Sequence, residues 1–291
     1  MCDQDHFEDD RKEFEARGNV TRKQFGVLLS AGMSMILPQV ANAAPVTDAE
    51  VTVMTPDGAA DCYFVHPSSG TAPGVLIWPD IFGLRPAFRK MGKRLAESGY
   101  SVLVVNPFYR TKKAPVAAEG ASFQDPTVRA ALMQLAGTLN KDTADTDAKT
   151  FIAWLDKQSS VDKKKKMGTM GYCMGGPLTM RTAAAIPNRV GAGASFHGGG
   201  LVTDKPDSPH LLVPKMKASY LFAIAANDDE KQPDAKNVLR ETFAKANLPA
   251  EIEVYEGTLH GWCPPDSQVY NEAQAEKAWS RLLALFGKAL A

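Results

Sequence analysis

The chain has 291 residues, 44% of them hydrophobic, which is enough to bury one large core at a size where α/β domains are common. Its 33 basic and 33 acidic residues cancel, which argues against nucleic acid or an anionic membrane as a general partner. Four cysteines (Cys2, Cys62, Cys173 and Cys263) are too few for a disulfide framework, and their spacings fit no zinc site.

Residues 1–17 are highly charged, and Thr21-Arg22-Lys23-Gln24 leads into an apolar run over 25–37. Ala41-Asn42-Ala43 follows as a small-x-small cleavage site, the order of a secretory signal. The Arg22-Lys23 pair resembles a twin-arginine export signal with lysine in the second place. Residues 1–44 are therefore expected to be an export leader with a charged tail, sending the protein to the periplasm; an uncleaved tail on a cytoplasmic protein is the alternative. The apolar run is short for a membrane span. Residues 45–291 are expected to form a single domain.

Beyond residue 44, strand and helix patterns alternate. Short strands at 51–54 and 62–65 flank the turn Pro56-Asp57-Gly58 and read as a hairpin. Continuous apolar runs at 74–78 and 101–105 are expected of strands buried on both faces. A helix is expected at 88–97 between them, and two more at 127–139 and 146–157. A strand at 166–172 runs into a helix at 174–186, and further strands are read at 190–196, 219–226 and 251–255. Helices at 234–246 and 271–290 complete the chain, with a polar loop leading to Met216. The alternation implies a mostly parallel central sheet with helices on both faces.

Gly171-Tyr172-Cys173-Met174-Gly175 has the spacing of a nucleophile elbow, with cysteine in the place of serine. Glycines at such a bend let strand and helix pack closely, and the helix N-terminus favours a thiolate and then an oxyanion. Ligands in open α/β sheets gather beyond the carboxyl ends of the strands. That rule selects Cys173, Asp228 with Asp229, and His260, each after a different strand, in the order nucleophile, acid, histidine of the α/β-hydrolases. His260 would take and return the thiol proton, and the acid would hold the imidazole's tautomer. Asp228 is preferred to Asp229, which is expected to face solvent or cap a turn. His197-Gly198-Gly199-Gly200 resembles an esterase oxyanion motif but follows the nucleophile instead of preceding it, so it is read as a structural turn near the site. The loop in the expected place is 79–83, where the Ile81 N–H would form the oxyanion hole with that of Met174.

On G-Y-C-M-G-G (171–176), D-I-F-G (80–83), N-P-F-Y-R (106–110), N-D-D (227–229) and His260-Gly261, the stretch from about residue 51 to 290 resembles the dienelactone hydrolase family of α/β-hydrolases. The resemblance implies the α/β-hydrolase fold and a Cys173–His260–Asp228 triad. It also implies activation of the cysteine by Asp80, which is one methylene shorter than the family's glutamate. Binding of a substrate carboxylate would fall to Arg110, with Tyr109 beside it. The implied reaction is hydrolysis of a small carboxylate-bearing enol-lactone or ester through an acyl-enzyme, with no metal and no cofactor, by a monomer or small homo-oligomer. Two other readings compete: a ligand-binding protein that has lost turnover, and a thiol redox protein pairing Cys173 with Cys263.

Overall fold

The computed structural model describes residues 37–291, and the first 36 residues of the leader expected over 1–44 lie outside the described residues. Two strands, β1 (Val46–Thr55) and β2 (Gly58–Pro67), form an antiparallel hairpin about the turn at Asp57. They are longer than the apolar alternation indicates, because the outer face of β1 is solvent-facing and carries residues such as Asp48, Glu50 and Thr52 that a hydrophobic count passes over. Then follow β3 (Gly74–Trp78), α1 (Pro86–Glu97), β4 (Ser101–Val105), α2 (Pro126–Ala136), α3 (Lys141–Asp156), β5 (Met167–Tyr172) and α4 (Gly175–Ala185). The chain continues through β6 (Val190–Phe196), a 3-10 turn (Pro209–Lys215), β7 (Ser219–Ala225), the short α5 (Ala226–Lys231), α6 (Ala235–Lys245), β8 (Ala250–Tyr255) and α7 (Glu272–Ala289).

The eight strands lie in the order β1-β2-β4-β3-β5-β6-β7-β8, and every pairing from β4 to β8 is parallel. This is the mostly parallel sheet of the α/β-hydrolase fold. Every residue of β3 and β4 is buried, which requires helices on both faces. Alternation along these strands divides the core. Leu76, Trp78 and Leu103 face α3, α4 and α6 through Phe151, Leu178 and Phe243. Val75, Ile77, Val102 and Val104 face α1 and α7 through Phe88, Leu95, Trp279 and Phe286. A third, smaller cluster joins Ile81, Phe108, Val116 and Phe123 to α2.

The helix ends follow from their sequences. Asp125 caps α2 by accepting from the Thr127 and Val128 N–H groups, with Pro126 at the first helical position. Asn140 and Thr143 form a reciprocal capping box on α3, which starts five residues earlier than the apolar face at 146–157 suggests. At the other end of the described chain, Leu37 packs against the α1/α7 face, and the Ala44 N–H donates to the Glu97 carbonyl at 3.0 Å. Among the described residues no helix is long and apolar enough to cross a membrane.

Candidate active site

Parallel pairing brings the carboxyl ends of β3, β5, β6, β7 and β8 to one edge of the sheet, and the residues that follow them form the site. Cys173 leaves β5 at φ +52°, a left-handed conformation that costs a non-glycine residue roughly 1–2 kcal/mol. The bend is held on both sides: the Cys173 N–H donates to the Phe196 carbonyl at the end of β6, and the Cys173 carbonyl accepts from the Gly176 N–H, each at 3.0 Å. The thiol residue is only 4% exposed.

The glycines around it are steric requirements. A methyl group on Gly171 would meet the Gly175 backbone and, at 2.9 Å, the Thr179 side chain. One on Gly175 would run into the Trp78 carbonyl oxygen and stand 2.8 Å from that of Pro79. The start of α4 therefore touches the loop after β3. Ile81, expected to supply an oxyanion N–H group, belongs to a small apolar cluster against which Met174, the other expected donor, is packed.

From the far side come the acid and the histidine. His260 Nδ1 lies 2.8 and 3.0 Å from the two carboxylate oxygens of Asp228, both side chains being largely buried. Asp229 turns away and pairs with Lys236 at 2.7 Å, a difference that its position in the one-turn α5 explains: neighbours on a helix face different directions. The His260 backbone is also tied down, its N–H donating to Asn227 Oδ1 at 2.9 Å. Asn227 was legible only as part of N-D-D; its role in anchoring the histidine loop depends on a contact between residues 33 apart in the chain.

His197 follows β6 at φ +39°, and its N–H donates to the Ala223 carbonyl of β7. Its ring packs edge-to-face on that of His260, centroids 5.1 Å apart, and neither ring nitrogen has a hydrogen-bond partner among the described residues. Burial, with the nearby His260 and Arg85, holds the His197 imidazole well below its ordinary pKa. It is a neutral ring wedged behind His260.

Three expected roles meet different partners. Both oxygens of Asp80 are engaged by Arg85, at 2.6 and 2.9 Å, and Asp80 Oδ1 also accepts from the Phe82 N–H. Through these bonds Asp80 holds its own loop. Arg85 reaches on to Asp266, six residues past His260, at 2.6 and 3.0 Å, and so ties the β3 loop to the histidine loop. Burial works against its charge, but the two carboxylates more than offset this. Arg110 spends Nε on Asp57, Nη1 on Asp147 and Nη2 on both, which satisfies its guanidinium within the protein. Tyr109 donates to the same Asp147 at 2.7 Å and contacts Thr55 in the hairpin turn. Burial pushes the fully enclosed Asp147 carboxyl up, against the pull of Arg110 and Tyr109. The two residues expected to hold substrate instead lock β1–β2 to α3. Short-range motif reading finds Arg110 but not Asp147, 37 residues away, which claims it.

Cys62, Cys173 and Cys263 are not joined in a disulfide, so the Cys173–Cys263 bond required by a redox reading does not form in this structure. No group of three or more potential metal-ligating side chains occurs among the described residues.

The sequence pattern that defines the dienelactone hydrolase family matches residues 60–290. A carboxymethylenebutenolidase from Rhodococcus opacus is 28% identical over 259 residues, covering 86% of this chain and 96% of its own. Two solved structures share the fold. A dienelactone hydrolase from Anabaena variabilis superposes with a TM-score of 0.60 at 16% identity, over 84% of this chain and 99% of the other. A dienelactone hydrolase-like promiscuous phosphotriesterase from metagenomic libraries reaches 0.69 at 19% identity, with the same two coverages.

Proposed function

The chain belongs to the dienelactone hydrolase family and is a carboxylic ester hydrolase, and from that premise we propose that it cleaves small activated esters or enol-lactones through Cys173, His260 and Asp228. The observation that carries the reading is the Asp228-oriented imidazole of His260, presented at the sheet edge where Cys173 is held in a strained bend.

In this mechanism the Cys173 sulfur adds to the substrate carbonyl carbon while its proton passes to His260 Nε2. Negative charge gathers on the carbonyl oxygen, where the N–H groups of Ile81 and Met174 receive it. Collapse of the tetrahedral intermediate breaks the C–O bond, and His260 returns the proton to the departing alkoxide or enolate. For a lactone both halves stay joined. Water, deprotonated by His260, then attacks the thioester, releasing the carboxylic acid and restoring the thiol. Asp228 keeps the Nδ1 proton in place and stabilises the imidazolium at each transfer. A cysteine suits good leaving groups, because sulfur is a strong nucleophile near neutral pH and itself departs readily. His260 and the N-terminus of α4 both favour the thiolate, and Asp80 is paired with Arg85 in the neighbouring loop.

The test is a panel of small aryl esters and enol-lactones assayed before and after alkylation of the native enzyme, with Cys173→Ala in parallel. Loss of turnover in both the alkylated and the substituted protein is expected. Turnover that survives in Cys173→Ala would eliminate the cysteine mechanism.

A further inference from the structure

His197 lies inside the site and has no part in the proton transfers of the proposed mechanism. It is 1% exposed, and its ring is walled by Tyr172, the residue before Cys173, by Trp262 and by His260 itself. The His260 ring stands 5.1 Å from it, centroid to centroid, with the two planes at 71°. Neither ring nitrogen of His197 has a hydrogen-bond partner among the described residues, although buried polar groups are nearly always paired. What the site takes from this residue is therefore its ring and not its nitrogens. The backbone fits that account: φ is +39°, in a region that histidine enters more readily than bulky residues do.

Asp228 grips His260 at Nδ1, and Asn227 grips its backbone. A bond at one nitrogen leaves the ring free to tilt about that contact, and the tilt carries Nε2 along an arc. Resting on the hydrolase reading, we propose that His197 is a positioning residue: its ring braces the His260 imidazole against that tilt, by contact alone, and keeps Nε2 aimed at Cys173. Reacting groups must be held within about 0.5 Å and 10–20° of productive geometry, so losing the brace acts on rate beyond its effect on stability. The brace is itself fixed. The His197 N–H is bonded to the Ala223 carbonyl at 2.8 Å, and Tyr172 is stacked on Phe196 with centroids 4.9 Å apart. The ionisable groups that His197 meets are Tyr172 from β5, His260 from the loop after β8 and, through its charge, Arg85 from ahead of α1. Burial first, then His260 and Arg85, keep it neutral, so it does not compete for the proton that His260 carries.

Two substitutions separate ring from nitrogen. His197→Phe keeps an aromatic wall and removes both nitrogens, whereas His197→Asn keeps polar atoms and suits the backbone but removes the wall. On one aryl ester, assayed well below each variant's Tm, His197→Phe should retain kcat within about fivefold. His197→Asn should lose about thirtyfold or more in kcat with KM within about twofold, since ~1 Å of misplacement can cost 10²-fold. A residue that merely fills core would lower the Tm of His197→Asn and leave the kcat of the folded enzyme unchanged. That result overturns the proposal, as does an active His197→Asn beside an inactive His197→Phe. The proton on His260 Nδ1, observed by NMR through its bond to Asp228, is read independently of turnover. It should be sharp in the native chain and in His197→Phe and broadened or lost in His197→Asn; an equally sharp signal in His197→Asn counts against the brace. A native chain that hydrolyses no ester while this contrast holds would remove the hydrolase reading and leave the brace standing. The native chain made with nitrogen-labelled histidine needs no variant: the His197 ring should keep one neutral pattern between about pH 6 and 8. Protonation of His197 within that window shows its nitrogens taking part and overturns the proposal.

Discussion

Gly175→Ala tests the central contact of the site, the close approach of the elbow helix to the β3 loop. The added methyl carbon would collide with the Trp78 carbonyl oxygen and stand 2.8 Å from the Pro79 oxygen, closer than real Cβ contacts come. Both obstacles are backbone, so neither can rotate away; one segment must move by roughly half an ångström or more. Overpacking of this kind costs about 1–3 kcal/mol, and the better helix propensity of alanine returns at most about 0.5–1. The clash wins. At about 2–4 °C per kcal/mol for a domain of this size, the net loss lowers Tm by up to roughly 10 °C. The displaced loop carries the Ile81 N–H, and misplacement of a reacting group by ~1 Å can cost 10²-fold, so kcat should fall at least about tenfold. Thermal unfolding and ester hydrolysis are measured on the same preparation. Gly287→Ala in α7 is the control: a methyl group there meets nothing within 4 Å, and stability should rise slightly, by about 0.5 kcal/mol, with activity unchanged. A Gly175→Ala enzyme with native Tm and native kcat would show that the elbow and the loop are not coupled by this contact.

Other outcomes follow from the same geometry. Asp228→Asn should lower kcat by roughly 10³–10⁴ with little change in KM, whereas Asp229→Asn, which loses only the Lys236 pair, should stay within about twofold; steady-state kinetics on one aryl ester separates the two. Burial pushes the Cys62 and Cys263 thiols well above their ordinary pKa, so iodoacetamide at pH 7.5 should label Cys173 before either of them, as read by peptide mass spectrometry; prior labelling of Cys62 or Cys263 in the folded protein would contradict this. His197 is neutral in the folded protein at pH values where the unfolded chain already takes up a proton, near 6.5. The unfolded state therefore binds more protons just below that pH, and stability falls as pH falls, by up to about 1.4 kcal/mol per unit. Urea denaturation at pH 7, 6 and 5.5 should show a shallower decline in His197→Phe than in the native chain; parallel declines would mean that His197 does not titrate on unfolding.

The sequence by itself determined much of this protein because much of it is local. The apolar runs at β3 and β4 could only be strands covered on both sides, and the glycines around Cys173 could only mark a backbone approach too close for a side chain. The order of Cys173, Asp228 and His260 after β5, β7 and β8 was visible for the same reason: each sits within a few residues of the strand that carries it. The outer halves of β1 and β2 were less legible, since solvent-facing edge positions accept polar residues and blur the alternation.

Which side chain meets which was decided only by the tertiary structure. Arg110 reads as available until α3 brings Asp147 to it, and the partner of Asp80 is not visible until Arg85, just before α1, folds back across Gly83 to hold it. Arg85 in turn finds Asp266 across 181 residues, and His197 comes to rest against His260 because β6 lies between β5 and β7. An ion pair or ring contact of this kind depends on two loops arriving at one point in space. Neither loop's own composition records the other, so a charged residue's partner emerges only when the sheet is assembled.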